Sequence, residues 1–195
     1  MLIRFLQKNK FFRAIIYKLG RARAKPLISR MKPFLNKEER MLDIGPGTCN
    51  IYELLLEEGY DNITPLDIQD VSFVDGIKPI LYDGHKIPFH DNAFDLALII
   101  TVLHHTPSPE KIIEEATRVS KKIIIIEDIY TNMLHKYVTY FFDSLINLEF
   151  FGHPHTNKND RQWREVFHTF GLKIVESRYD RSLIVFKHAT YYLEK

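Results

Sequence analysis

The stretch Arg40–Asn50, RMLDIGPGTCN, decides the fold. MLDI is a short apolar strand, Gly45, Pro46 and Gly47 turn the chain sharply, and TCN opens a helical run, NIYELLLEEGY, closed by Gly59. A strand that ends in glycines and feeds a helix aims that helix's free N–H groups back across the turn. Glycines there also let the backbone approach a ligand with no Cβ in the way. Alone, the fragment is equally compatible with a plain strand-to-helix turn.

The alternation continues outward. NITPLDI reads as a strand, with Pro65 favouring an edge or a bulge. KPILYD is a further strand, and FDLALIIT is a continuous apolar strand of the buried, parallel kind. SPEKIIEEATRVS reads as a helix with Ser108 as N-cap and Pro109 in its first turn, and KKIIIIED as another buried strand. This pattern predicts an α/β fold, a Rossmann-like three-layer sandwich with helices on both faces of a mostly parallel sheet. The end differs. TNMLHKYVTYFFDSLINLEFF reads as a long helix and DRQWREVFHTFG as a second, capped by Gly171. LKIVESRYD and LIVFKHATYYLE then follow with no helix between them, which predicts a C-terminal antiparallel hairpin and seven strands in all.

The 195 residues suit one domain with a substantial core, and 45% hydrophobic and 13% aromatic content argues a globular chain. No apolar run reaches the roughly 20 residues of a membrane span. A single cysteine, Cys49, excludes an internal disulfide and the usual cysteine-based zinc site, and fits a reducing, cytoplasmic compartment. No metal is expected.

Charge divides the chain. Residues 1–37 carry 11 Lys or Arg and no acid, whereas residues 38–195 carry the other 16 basic residues and all 25 acids, a net of −9. We expect a basic N-terminal helical extension over 1–37 and the main domain over 38–195. Leu2, Phe5, Phe12, Ile16 and Leu19 recur at helical spacing over residues 2–19, and Pro26 and Pro33 bracket another short helical piece. This arm has three readings: a helix capping the cleft, an interfacial helix on anionic membrane, or a grip on nucleic acid, in falling order.

Two acids extend the glycine turn into a candidate site. Asp67 ends the next strand, 20 residues after Gly47, where a carboxylate accepts from ribose hydroxyls. Asp83 ends the third strand, in YDGHKIPF, where it can accept from an adenine amino group while Gly84 comes close to the ring. The dehydrogenase fingerprint G-x-G-x-x-G is incomplete, because Asn50 stands at its last position, and no GKS or GKT follows to make a P-loop.

The ordered set LDIGPGT, LDI, YDGHKIPFHDNAFDLALIITVLHH and EEATRVSKKIIIIED resembles the class I S-adenosylmethionine-dependent methyltransferases, notably their broad small-molecule (type 11-like) group. The resemblance is specific over about Arg40 to Asp128. It implies S-adenosyl-L-methionine as cofactor, with Asp43, Gly45, Pro46 and Gly47 at its methionine side, Asp67 at the ribose and Asp83 with Gly84 at adenine. Thr101 would line the cleft below the sulfonium. Where the family's turn has a third glycine this chain has Cys49, whose side chain must point away from the cofactor or narrow the pocket. TVLHH stands where base-amino methyltransferases carry an NPPY-type motif, which disfavours amino-methylation of bases, and the acidic body with no recognisable RNA-binding module disfavours a nucleic-acid substrate.

Methyl transfer from a sulfonium needs a protein base only when the nucleophile must lose a proton. Histidine suits that role near neutral pH. The candidates are His104 and His105 after the fourth strand, and His155 with its neighbour His153 in GHPHTNKND. His104 or His105 can equally hold backbone in the turn. Glu127 and Asp128 end the fifth strand, to bind substrate or cap the next helix. Trp163 is expected to pack its helix on the sheet. The aromatic segment Ile129–Asn159 stands where this family builds its substrate lid; its rings either pack a helix on the core or line an apolar pocket, and a mixture of the two is expected. The expected activity is methyl transfer to a small, partly apolar molecule, with an RNA or protein methyltransferase using the basic arm, or an inactive cofactor-binding protein, as the alternatives.

Overall fold

A computed structural model describes residues 2–131, 137, 156–182 and 186–195. Seven strands form one sheet: β1 (Met41–Ile44), β2 (Ile63–Asp67), β3 (Ile80–Leu81), β4 (Phe94–Ile100), β5 (Ser120–Ile129), β6 (Lys173–Ser182) and β7 (Phe186–Glu194). Their order is β3-β2-β1-β4-β5-β7-β6. The first five are parallel, and β7 enters antiparallel to both β5 and β6. The helices are α1 (Leu2–Lys8), α2 (Lys10–Met31), α3 (Asn50–Glu57), α4 (Pro109–Val119) and α5 (Asp160–Thr169).

The sheet is buried on both faces, which is why its central strands show no polar alternation. On β5, Ile123 and Ile125 meet Ile113 and Ala116 of α4 and Trp163 and Phe167 of α5. Ile124 and Ile126 point the other way, into a cluster with Leu54 and Leu55 of α3 and Ala24, Leu27, Ile28 and Met31 of α2. Trp163 is fully buried and takes the packing role expected of it.

Several local expectations are corrected. Residues 2–19 are not one helix. Asn9 interrupts them and N-caps α2, its side chain accepting from the Phe11 and Phe12 amides. Conversely, Pro26 breaks nothing. Helix α2 runs through it to Met31, because burying Ala24, Leu27, Ile28 and Met31 outweighs the roughly 3 kcal/mol cost of an interior proline, at about 1.5–3 kcal/mol for each large side chain. Pro65 lies on β2 between β1 and β3, not at the sheet's edge. The Leu66 carbonyl faces β1 and that of Asp67 faces β3, so Pro65 points to the β3 side, at a level β3 does not reach: the β3 pairing begins at Leu66. Ser108 occupies the N-cap of α4, but its side chain makes no capping bond; Pro109 at the first position does the work of starting that helix. The long helix expected from TNMLHKYVTYFFDSLINLEFF falls almost wholly outside the described residues.

Candidate functional site

The turn after β1 is shaped by packing as much as by any ligand. Gly45 has φ +73°, and a Cβ there would stand 2.8 Å from Val102 Cγ2, so this glycine lets β1 close against the end of β4. Gly47, at φ +53°, has nothing within 4 Å of a built Cβ. It is Gly47 that leaves open space over the turn. The Pro46 carbonyl accepts from the Cys49 amide and starts α3. Cys49 itself adopts the left-handed conformation a third glycine would take (φ 61°), with its side chain fully buried. The side chain points into the protein, and burial pushes the thiol pKa up to about 12, so it is an inert filler.

Two carboxylates approach this turn. Asp67 Oδ2 accepts from the Gly47 amide at 3.3 Å, and Oδ1 accepts from Ile68 at 2.7 Å and Gln69 at 3.3 Å. Two of the three bonds are long, which leaves lone-pair capacity for a hydroxylated ligand. Asp43 is 2% exposed on β1, and its Oδ2 has no hydrogen-bond partner. A buried carboxylate oxygen left without a donor is a group that a polar, cationic partner would complete.

Sequence reasoning missed Ile68. It follows Asp67, is 60% exposed, and its Cγ2 lies 3.1 Å from where a Gly84 Cβ would be. Ile68 and Gly84 thus lie against each other beside Asp67, with the isoleucine side chain open to solvent. An exposed isoleucine just after a strand-ending acid was the available signal. Asp83 is exposed, and its Oδ1 accepts from the His85 and Lys86 amides, which hold its pKa below the ordinary carboxylate value. Its first task is to fix the loop that presents Gly84.

At the end of β4, Thr101 has φ 55°, a strained conformation for a β-branched residue. Its amide donates to the Ile126 carbonyl of β5. The next residues turn around a buried acid: Glu127 Oε1 accepts from the Val102 and Leu103 amides (2.8 and 2.7 Å), and Oε2 lies 2.6 Å from His104 Nδ1. His104 is fully buried by this contact, whereas His105, ring centroids 4.1 Å away, is half-buried. Of the two histidines, only His105 has solvent access. Thr156 ties the returning chain to the same turn through the Leu103 and Thr106 carbonyls. His155 and His153, just before it, lie outside the described residues. Asp128, expected to bind substrate or cap a helix, instead lies 2.8 Å from His188 Nε2, whose Nδ1 is 2.6 Å from Arg30. Burial alone would raise the Asp128 pKa, but this contact and the charge of His188 bring it below the ordinary value. Among the described residues no cluster of His, Cys, Asp and Glu is fit to hold a metal.

The N-terminal helices cover this edge. A Cβ on Gly20 would fall within 2 Å of Asn50 Oδ1, so α2 crosses the start of α3 as closely as a backbone can. Tyr17 bonds Glu53, Arg21 forks between Glu53 and Glu57, Gln7 donates to the Asp70 and Ser72 carbonyls, and Arg23 reaches Thr101 Oγ1 at 3.4 Å.

Burial, with the charge of Asp67, pushes the Asp43 pKa up to about 7. A raised folded-state pKa means that this group's contribution to stability is complete below its unfolded value near 4 and is lost as pH rises through about 7. We therefore expect Asp43→Asn to gain on the wild type by up to about 4 kcal/mol between acid and mildly alkaline pH. Urea unfolding at both ends of that range measures it. A constant difference would mean that the carboxyl does not titrate there.

The sheet order puts the turn and the two acids at the carboxyl edge of the parallel strands, where folds of this kind bind their ligands. Residues 42–125 match the family described as "Methyltransferase domain", and over that stretch the chain is similar to class I S-adenosylmethionine-dependent methyltransferases. A 53-residue stretch is 53% identical to an uncharacterised protein, MJ1123, of Methanocaldococcus jannaschii, covering 26% of each chain. A 94-residue stretch is 29% identical to the ubiquinone/menaquinone biosynthesis C-methyltransferase UbiE of Roseobacter denitrificans, covering 42% of this chain and 38% of that one. The matches thus span well under half the length of these curated relatives. Among solved structures, an S-adenosylmethionine-dependent methyltransferase of Methanosarcina mazei superposes with a TM-score of 0.65 at 18% identity, covering 85% of this chain and 96% of that one. Magnesium protoporphyrin IX methyltransferase of Synechocystis PCC 6803, with bound S-adenosylhomocysteine, superposes with a TM-score of 0.64 at 12% identity, covering 96% and 88%.

Proposed function

We propose that the protein transfers a methyl group from S-adenosylmethionine to a small, partly apolar molecule. The observation that carries this reading is the contact of Asp67 with the amide of Gly47, a glycine with open space over it, together with the unpartnered Asp43 carboxyl on the strand that leads into the turn. When bound, the cofactor supplies an electrophilic methyl on a sulfonium, so the protein's share of the chemistry is positioning and exclusion of water. Asp43 would compensate positive charge at the methionine end, Asp67 would accept from the ribose hydroxyls, and Ile68 with Gly84 would cover the adenine. Thr101 stands at the exit of β4 and orients the end of the cleft. His105 is the candidate to take a proton from an acceptor that must lose one, while His104 positions the turn that carries it. The relative named for ubiquinone/menaquinone biosynthesis supports a small-molecule substrate over a macromolecular one.

Calorimetry with S-adenosylhomocysteine tests the cofactor half directly, with no acceptor needed. We expect saturable, stoichiometric binding. Absence of heat and of any thermal stabilisation at millimolar ligand would overturn the reading.

A further inference from the structure

The inner side of α2 is fixed by its contacts: Tyr17, Gly20, Arg21, Ala24 and Ile28 face the domain. This orientation turns Phe11, Ile15 and Leu19, spaced four residues apart, to the opposite side. All three are exposed, Phe11 and Leu19 by about two thirds (68% and 66%), and Phe5 on α1 is exposed beside them. Arg4, Lys8, Lys10 and Lys18 are exposed on the same two helices and, among the described residues, form no ion pair. The outer side of α2 thus presents exposed apolar side chains, on helices that also carry exposed cations and have no acid anywhere in residues 1–37.

We propose that the outer face of α1 and α2 docks on an anionic lipid surface. Charge and apolarity together choose the occupant. An apolar stripe gains nothing against a phosphodiester backbone, but gains burial in the headgroup boundary of a bilayer, where lysines of the same helices meet acidic headgroups. Two copies of this face would set like charges against each other, which opposes self-association. No helix among the described residues is long and apolar enough to cross a membrane, so the contact would be peripheral. Because the same helix reaches Asn50 and Thr101 from its inner side, docking would hold the site's covering helix at the lipid surface. The inference does not depend on methyl transfer.

The test is co-sedimentation of the full chain with vesicles of phosphatidylcholine alone or mixed equally with phosphatidylglycerol, without cofactor. We expect binding to the anionic vesicles only, weakened by salt, and reduced at least about tenfold by the triple substitution Phe11→Ser, Ile15→Ser and Leu19→Ser. These positions are exposed, and circular dichroism with a melting curve checks that the fold is retained. The charge reversals Lys8→Glu, Lys10→Glu and Lys18→Glu, which leave the stripe intact, should abolish the anionic preference. Failure to sediment at low salt, sedimentation unchanged by the triple substitution, or preferential binding to a single-stranded RNA probe that the triple substitution leaves intact would each overturn the proposal, as would a dimer that the triple substitution dissolves.

Discussion

Replacing Asp67 by alanine should weaken S-adenosylhomocysteine binding by about a hundredfold or more. In the proposed site the carboxylate would accept from two ribose hydroxyls, and charge-assisted bonds of this kind are worth about 1.5–3 kcal/mol each, while every 1.4 kcal/mol is a tenfold change in affinity. The same substitution strips acceptors from the Gly47, Ile68 and Gln69 amides, so the turn itself loses a tie between β1 and β2. A melting curve separates the two effects, since the structural share appears without ligand. Asp67→Asn keeps one carbonyl acceptor and removes the charge, and should lie between. An affinity within about threefold of wild type for Asp67→Ala would place the ribose elsewhere.

The second large effect is on stability. Glu127 is fully buried and satisfies the Val102 and Leu103 amides and His104 at once. Removing one partner of such a buried set costs about 3–5 kcal/mol, because the groups left behind cannot reach water. For a chain of this size each kcal/mol lowers Tm by about 2–4 °C, so Glu127→Ala should melt roughly 6–20 °C below wild type. Glu127→Gln retains an acceptor for the amides and should lose markedly less. Thermal denaturation followed by circular dichroism reads both. Equal losses would mean that the charge of Glu127, and not its hydrogen bonds, holds the turn.

The parts legible in the sequence were those set by local chemistry. Buried parallel strands announce themselves as unbroken apolar runs, and FDLALIIT and KKIIIIED became β4 and β5. The absence of a helix between LKIVESRYD and LIVFKHATYYLE was enough to predict the antiparallel ending. Illegible parts depended on contacts between distant segments. Gly20 looks like a weak point in a helix until Asn50, thirty residues on, is seen against it. Gly45 looks like a ligand-facing glycine, yet Val102 is what it accommodates. Glu127 and His104 lie on different elements, and nothing in their spacing says that one acid would serve a whole turn. Pro26 stops a helix on propensity, and only the buried face beneath α2 explains why it does not.

Strand β7 comes after β6 in the chain but lies inside it in the sheet. The consequence concerns unfinished chains. Until residues 186–194 are in place, β6 has nothing to pair with, and β5 shows a bare edge whose centre is four consecutive isoleucines, Ile123–Ile126. Uncharged β-branched runs with free backbone groups invite pairing between molecules. In this chain Lys121 and Lys122 precede the run, and Glu127 and Asp128 follow it. Charges in those places resist stacking of one exposed edge on another. The acids that later hold the site's turn and meet His188 thus stand, during synthesis, as guards against aggregation.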